Sequence, residues 1–372
     1  MRRATLSISI LVAISSADQA LSEGRPPALP SGPAAEYVAR FSERFGRETR
    51  IVYHRDGKTR VDVIRDGGIA STYRDRHHTT VVTLSRREGP RFNALQIRSG
   101  SEPGYSVSEA VRTGKSESVL GQHCDIWSTI TTGARMPHTI SSENCLTADG
   151  VDLSYRLVGS KGSVISSSEA VAVERRSVDP AEVEIPREVF DLGYWIEDGS
   201  EATKSAPRPA DFETTFVWPA VGRFRPDEKI RITRRHFPWL FEKTTSGDQQ
   251  DFVVHNLGAE IVFRFDIKNS GAYKTLLVAR DVKPLDINHA EPMKRADVVL
   301  GERCEWFDMY PGGMDGGLEQ CRTHDGIILK ERGVVYSSGE MVTARRFQRR
   351  PVEVSQVTPP PEILTPAYWG LP

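Results

Sequence analysis

Long hydrophobic runs are scarce in this chain, and so are the motifs that usually mark catalysis. After residue 17 no segment approaches the roughly 20 apolar residues that a membrane-spanning helix needs. The net charge is −1, which removes the electrostatic case for nucleic acid or an anionic membrane surface as a partner. No H-x-x-x-H, H-E-x-x-H or Cys/His spacing of a metal site occurs. His77 and His78 are adjacent, so on a strand they point to opposite faces. His54, His123, His236, His255, His289 and His324 are scattered. No G-x-S-x-G elbow is present, no S-x-x-K stands in a convincing context, and the stretch from Gly312-Gly313 to Gly316-Gly317 lacks the lysine of a phosphate-binding loop. With no nucleophile, base and orienting group to assemble, the expectation is a protein that is not an enzyme and uses no cofactor and no metal.

Cysteine is rare too, with four in 372 residues. Export is read from the N-terminus: Arg2 and Arg3 precede a small-residue and apolar run from Ala4 to Ala17, about 14 residues long and short for a bilayer. Residues 1–17 are expected to be a signal peptide cut near Ala17, with Ala20 as a second position and an uncleaved anchor as the competing reading. No cysteine lies there for lipid attachment. The expected location is the periplasm or the outside of the cell, and four cysteines there imply two disulfides.

What the chain does contain is a repeat. Val119-Leu120-Gly121-Gln122-His123-Cys124 returns as Val299-Leu300-Gly301-Glu302-Arg303-Cys304. The run Cys145 to Leu153 returns as Cys321 to Leu329, each with an Asp-Gly pair inside. Pro186 to Phe190, followed by Tyr194-Trp195, returns as Pro360 to Leu364, followed by Tyr368-Trp369. A repeat of this period means two similar units. Each copy holds its own cysteine pair, so of the three pairings open to four cysteines the repeat selects Cys124–Cys145 and Cys304–Cys321. A catalytic thiol is the alternative, but there is no C-x-x-C and each cysteine has a matched partner.

The expected domains are a Pro-rich linker at 18–34, repeat 1 at 35–198, a second linker at 199–211, and repeat 2 at 212–372. A hydrophobic fraction of 38% and a charged fraction of 27% suit soluble globular units of this size. Val151, Leu153, Tyr155 and Leu157 alternate with polar residues, and Ile261, Phe263, Phe265 and Ile267 do the same, the period of half-buried strands. Asp56-Gly57, Asp66-Gly67, Asp149-Gly150 and Asp325-Gly326 mark turns. Tyr37 to Phe45 fits a strand or a helix. Short helices are expected at Ser106–Arg112 and His289–Ala296, and a strand is expected to begin at each of Cys124 and Cys145 with a connection over 132–143. Ser167 and Ser168 read as loop. The fold class is mainly β (α+β): two tandem, curved antiparallel sheets with short helical segments, each pinned by one disulfide.

The pattern L-G-x-x-C, C, D-G-V-x-L and P-x-x-V-F resembles exported bacterial domains of unknown function, themselves similar to the half-barrel periplasmic proteins that carry and receive outer-membrane lipoproteins. Leu120-Gly121-Cys124, Cys145, Asp149-Gly150-Val151-Leu153 and Pro186-Val189-Phe190 carry it, and again Leu300-Gly301-Cys304, Cys321, Asp325-Gly326-Ile327-Leu329 and Pro360-Ile363-Leu364. The resemblance implies a curved sheet with a short helical lid over its concave face. The carriers lack this cysteine pair and are single domains, and a shared fold does not transfer an activity.

Recurring residues are expected to serve the fold: Asp149 and Asp325 in turns, Glu188 and Glu362 in local caps or pairs. Two uses fit Tyr194-Trp195 and Tyr368-Trp369: closing the sheet, or lining an apolar ligand pocket. Arg345, Arg346, Arg349 and Arg350 fit either a solvated strand face or a docking patch for an acidic partner or lipid head groups. The function expected is a binding module of the bacterial envelope for an apolar small molecule, lipid or lipoprotein; the alternative is an envelope scaffold without a small ligand.

Overall fold

Asp-Gly pairs cut the first half of the chain into hairpins. Asp56 and Gly57 stand at φ 49° and 78°, Asp66 and Gly67 at 46° and 78°. A two-residue type I′ turn needs positive φ at both positions, and Gly accepts it at no steric cost. The structure, a computed structural model, describes residues 36–43, 48–87, 89–100, 105–107, 110–133, 140–159, 162–196, 209–221, 226–282, 290–311, 317–334 and 340–372. The expected signal peptide, the linker at 18–34, most of the linker at 199–211 and the Gly312–Gly316 stretch lie outside them.

Strands dominate. In chain order they are β1 (Tyr37–Glu43), β2 (Thr49–Arg55), β3 (Lys58–Arg65), β4 (Gly68–Asp75), β5 (Val81–Arg86), β6 (Ala94–Gly100), β7 (Tyr105–Val107), β8 (Val111–Val119), β9 (Gln122–Gly133), β10 (Ile140–Leu146), β11 (Asp152–Val158) and β12 (Val164–Glu174). Then come β13 (Phe212–Trp218), β14 (Lys229–His236), β15 (Trp239–Ser246), β16 (Gln249–Asn256), β17 (Ile261–Lys268), β18 (Tyr273–Ala279), β19 (Glu291–Val299), β20 (Glu302–Asp308), β21 (Gly317–Arg322), β22 (Ile328–Val334) and β23 (Met341–Gln348). Two short helices, α1 (Pro180–Val183) and α2 (Leu192–Ile196), and a few 3-10 turns complete the described residues. The protein is mainly β, as expected from the period-two patterning.

The chain folds into two compact units. The first holds the described part of Met1–Asn93, Ile97–Pro186 and Leu371; the second holds Ala94–Gln96, Arg187–Gly370 and Pro372. In the first the antiparallel order is β5-β4-β3-β2-β1-β12-β11-β10-β9-β8. In the second it is β18-β17-β16-β15-β14-β13-β23-β22-β21-β20-β19. The same topology thus occurs twice, with the first strand of each unit paired to its last.

Several local expectations are corrected. The described part of Ser106–Arg112 and of His289–Ala296 contains no helix and is strand except at Ala110 and Ala290, in β7, β8 and β19. Hairpin pairing overrides single-strand propensity there: Leu120-Gly121 and Leu300-Gly301 stand at positive φ and fold β8 back on β9 and β19 back on β20. Cys145 is the last residue but one of β10, not the start of a strand, and Ser141 and Ser142 lie in β10. Ser167 and Ser168 lie in β12, not in a loop.

Disulfides join Cys124 to Cys145 and Cys304 to Cys321, one in each unit, each across two paired strands. Each is buried within its unit's core, beside Phe41, Ile126 and Leu153 in the first and Phe216, Trp306 and Leu329 in the second. Closing loops of 21 and 17 residues removes unfolded-state entropy worth about 3 kcal/mol each.

The helical pieces cover the other side of the sheets from the one that carries this core. In the first unit α1 is capped by Asp179 and Glu182 in a reciprocal box, and Arg60 on β3 donates to the Glu182 carbonyl at 3.4 Å. In the second unit the turn Pro366–Trp369 sets Tyr368 and Trp369 edge-on to Phe265, each 5.9 Å away. Phe265 alternates along β17 with Arg264 and Asp266, so these aromatics lie on the opposite face from those charges. The resemblance implied a lid on the concave face; here the terminal turns of the second unit pack on the face of Phe241, Phe252 and Phe265.

Candidate functional site

Residues that recur in both copies are committed to the fold. Thr147 Oγ1 donates to Asp149 at 2.5 Å and accepts the Val151 N–H at 2.9 Å. Thr323 repeats this with Asp325 at 2.7 Å and Ile327 at 3.0 Å. Each carboxylate is clasped by two N–H groups of one arginine: Arg175 to Asp149 at 2.6 and 3.1 Å, Arg349 to Asp325 at 2.8 and 3.1 Å. The Arg175 clasp holds Asp149 down at about 2, and Arg349 holds Asp325 well below the usual carboxylate range. Glu188 and Glu362 are exposed.

Trp195 and Trp369 are buried, at 0% and 1% exposure. Their indole N–H groups donate to the Val189 and Ile363 carbonyls at 3.0 and 2.9 Å. Tyr194 and Tyr368 pack edge-on to them. Arg187–Ile196, inside the first repeat as bounded from the sequence, belongs to the second unit, where Arg280 donates to the Tyr194 carbonyl and stands 5.5 Å from the Trp195 ring.

The late arginines divide. Arg349 is taken by Asp325, and Arg350 by Glu213 at 2.7 Å. Arg345 and Arg346 are exposed and carry no ion pair among the described residues. A register shift against β13, from Thr215↔Arg346 to Phe216↔Ala344, leaves Arg345 as the extra residue of a bulge beside Arg346.

Sequence reading missed the core faces of the two sheets. Register aligns Phe41, Arg50, Val63, Ala70 and Ser85 in one row of the first unit. The matching row of the second is Phe216, Arg231, Thr244, Asp251 and Asp266. Arg50 lies 4.8 Å from the Phe41 ring and Arg231 lies 4.6 Å from the Phe216 ring, so the two arginines occupy equivalent places. The neighbouring rows read Ala39, Val52, Val61, Thr72 and Thr83 against Thr214, Thr233, Glu242, Val253 and Arg264. Thus the second unit puts Glu242, Asp251, Arg264 and Asp266 where the first has valine, alanine, threonine and serine.

Part of this charge is paired within the second unit, while Asp251 Oδ1, Arg231 Nε and His255 Nδ1 are buried without a hydrogen-bond partner. Arg231 meets Glu331 at 2.5 Å and Glu242 at 3.8 Å, and Gln320 donates to Glu331 at 2.7 Å. Burial and the opposed Asp266 carboxyl push Asp251 up to about 7, with Glu242 adding to the effect and Arg264 opposing it. Burial and Arg264 push His255 down to about 4.

Among the described residues of the first unit the equivalent arginine, Arg50, makes no ion pair, although its charge acts on the buried Asp152. Counting from the shared Asp-Gly turn, the place of Glu331 is taken by Tyr155. Arg50 donates to Ser168 at 3.4 Å and lies 5.9 Å from the Tyr155 ring. Among the described residues no carboxylate comes within ion-pair distance of it. The Tyr155 hydroxyl, Arg50 Nε and Asp152 Oδ1 are buried with no hydrogen-bond partner. Asp152 receives Asn144 Nδ2 at 3.0 Å on its other oxygen, and burial raises it to about 6 against the pull of Arg50.

Among the described residues no three His, Cys, Asp or Glu side chains are grouped to hold a metal ion. None of the described helices is long and apolar enough to cross a membrane.

These features define a class, a mainly β protein of two disulfide-pinned antiparallel units with unlike core faces. No family model and no curated protein matches the chain. Among solved structures it is similar to MucB. The complex of Pseudomonas aeruginosa MucA and MucB matches at 16% identity, covering 73% of this chain and 94% of that one, with a TM-score of 0.27. MucB in complex with MucA(peri) matches at 15% identity, covering 67% and 89%, and MucB alone at 15%, covering 73% and 94%; both have a TM-score of 0.25. Likeness at these scores carries no argument about activity.

Proposed function

We propose that this protein is an exported, non-enzymatic binding module of the bacterial envelope that takes an apolar ligand or a lipoprotein on the core face of its first unit. The observation that carries this reading is the contrast between equivalent faces. In the second unit Arg231 is paired with Glu331 and Glu242, whereas among the described residues the equivalent Arg50 of the first has no carboxylate within ion-pair distance, and the Tyr155 hydroxyl has no hydrogen-bond partner, beside Val63 and Ala70. Two disulfides fit an oxidising compartment, and we place the protein in the periplasm or outside the cell. In this reading the export signal is residues 1–17, and the repeats are 35–198 and 212–372. Trp195 and Trp369 close the sheets, since both are buried and hydrogen-bonded.

Native mass spectrometry of the full chain purified from the periplasm tests the proposal. A co-purified small mass that is lost on denaturation supports it; bare protein accompanied by a stoichiometric envelope protein favours a scaffold instead. Arg345 and Arg346 give that second reading its own footing, because a bulge presents both to solvent with no ion pair among the described residues. An acidic partner would meet them there, and Arg345→Glu with Arg346→Glu should then abolish its capture.

A further inference from the structure

We propose that Arg50 and the Tyr155 hydroxyl receive the carboxylate of a long-chain acid, whose apolar chain lies along the core face of the first unit. This deepens the proposed function and rests on it.

The molecule supplies its own control. At the equivalent place in the second unit, Arg231 is paired through Nη2 with the Glu331 carboxylate at 2.5 Å, over the same kind of phenylalanine ring, although its Nε, like that of Arg50, makes no hydrogen bond. In the first unit the arginine and the ring are kept and the carboxylate is replaced by a phenol. A guanidinium in a half-buried site is costly to leave unpaired, and an acid group arriving from outside would restore the arrangement of the second unit. Tyr155 is 8% exposed with its hydroxyl unpartnered, and that hydroxyl can donate to a carboxylate that Arg50 also holds. Asp152 feels the charge of Arg50 but makes no ion pair with it, and one of its oxygens is taken by Asn144. Beside Arg50 the row continues through Val63, Ala70 and Ser85, all partly exposed, and Val61 next to them is partly exposed as well. A cation at the head of an apolar, incompletely covered strip matches an amphiphile with an acidic head better than a neutral lipid.

Binding of cis-parinaric acid, a fluorescent fatty acid, to the full chain should be compared with binding of its methyl ester. The ester removes the charge and keeps the chain. Loss of a charge-assisted hydrogen bond predicts roughly tenfold to hundredfold weaker binding of the ester. Arg50→Gln should weaken the acid to the level of the ester and leave the ester unchanged. Arg50→Lys should recover part of the loss. Tyr155→Glu should do what Glu331 does in the second unit, pairing with Arg50 inside the protein and excluding the acid while the fold is kept. Tyr155→Phe gives a milder loss and remains informative if Arg50 variants fold poorly. Equal binding of acid and ester, or an Arg50→Gln protein that still prefers the acid, overturns the inference and leaves the binding module standing. Acetate displacing the fatty acid at equal concentration overturns the part played by the chain. If the unaltered protein binds neither acid nor ester, the inference and the apolar-ligand reading fall together.

Discussion

Replacing Asp251 by Asn should alter how stability depends on pH more than it alters stability at any single acidic pH. Asp251 stands directly opposite Asp266 on the neighbouring strand, and Thr275 donates to Asp266 at 3.2 Å from the next strand. Burial and the facing carboxyl push Asp251 up to about 7, whereas an aspartate in the unfolded chain ionises near about 3.9. Between those values the native protein holds a proton that the unfolded chain has released. Stability therefore falls as the pH rises through this window. The gap is about three pH units at ~1.4 kcal/mol each, which caps the penalty at ~4 kcal/mol; water reaching the partly exposed pair reduces it to about 2 kcal/mol. Asparagine keeps the shape, can donate to Asp266, and does not ionise. Chemical denaturation of the full chain, followed by circular dichroism, should find the variant within ~0.5 kcal/mol of the parent near pH 4 and about 2 kcal/mol more stable near pH 8. A constant offset across that range would refute the reasoning, and so would a variant that is less stable at the alkaline end.

Asp325→Asn should have the opposite signature: with Arg349 and Arg235 holding this carboxylate ionised, the variant should lose stability above about pH 4, and the difference should shrink as acid protonates the parent. Trp369→Ala should remove about 3–5 kcal/mol, read as a lower unfolding midpoint, because a fully buried indole and its bond to Ile363 are lost together. Replacing Cys304 and Cys321 together by alanine should cost roughly 3 kcal/mol, and a reducing agent should then destabilise the variant by less than it destabilises the parent.

The repeat, the cysteine pairing and the turns were legible in the sequence because each is local or has a marked duplicate. Asp-Gly at 56–57 and 66–67 states its own backbone geometry, and Cys124 and Cys304 follow the same Leu-Gly turn. The edge strands β8 and β19 were not legible. Their residues are mostly exposed, and what makes them strands is a ladder to β9 and β20 and a bulge, not their own pattern.

The sequence by itself determined that the chain is two β units, each pinned by its own disulfide, since those features depend on residue identity and short spacing. Only the tertiary structure decided where the copies part company. The first halves of the repeats have drifted too far to be aligned by residue type, and strand register alone sets Asp251 against Ala70 and Asp266 against Ser85, whereas Glu331 against Tyr155 follows from the shared Asp-Gly turn. Whether an arginine is neutralised depends on the strand across from it, more than a hundred residues away along the chain for Arg50 and Tyr155. Register is set by packing over the whole sheet, so the want of an ion pair to Arg50 among the described residues of the first core face emerges only once the chain has folded.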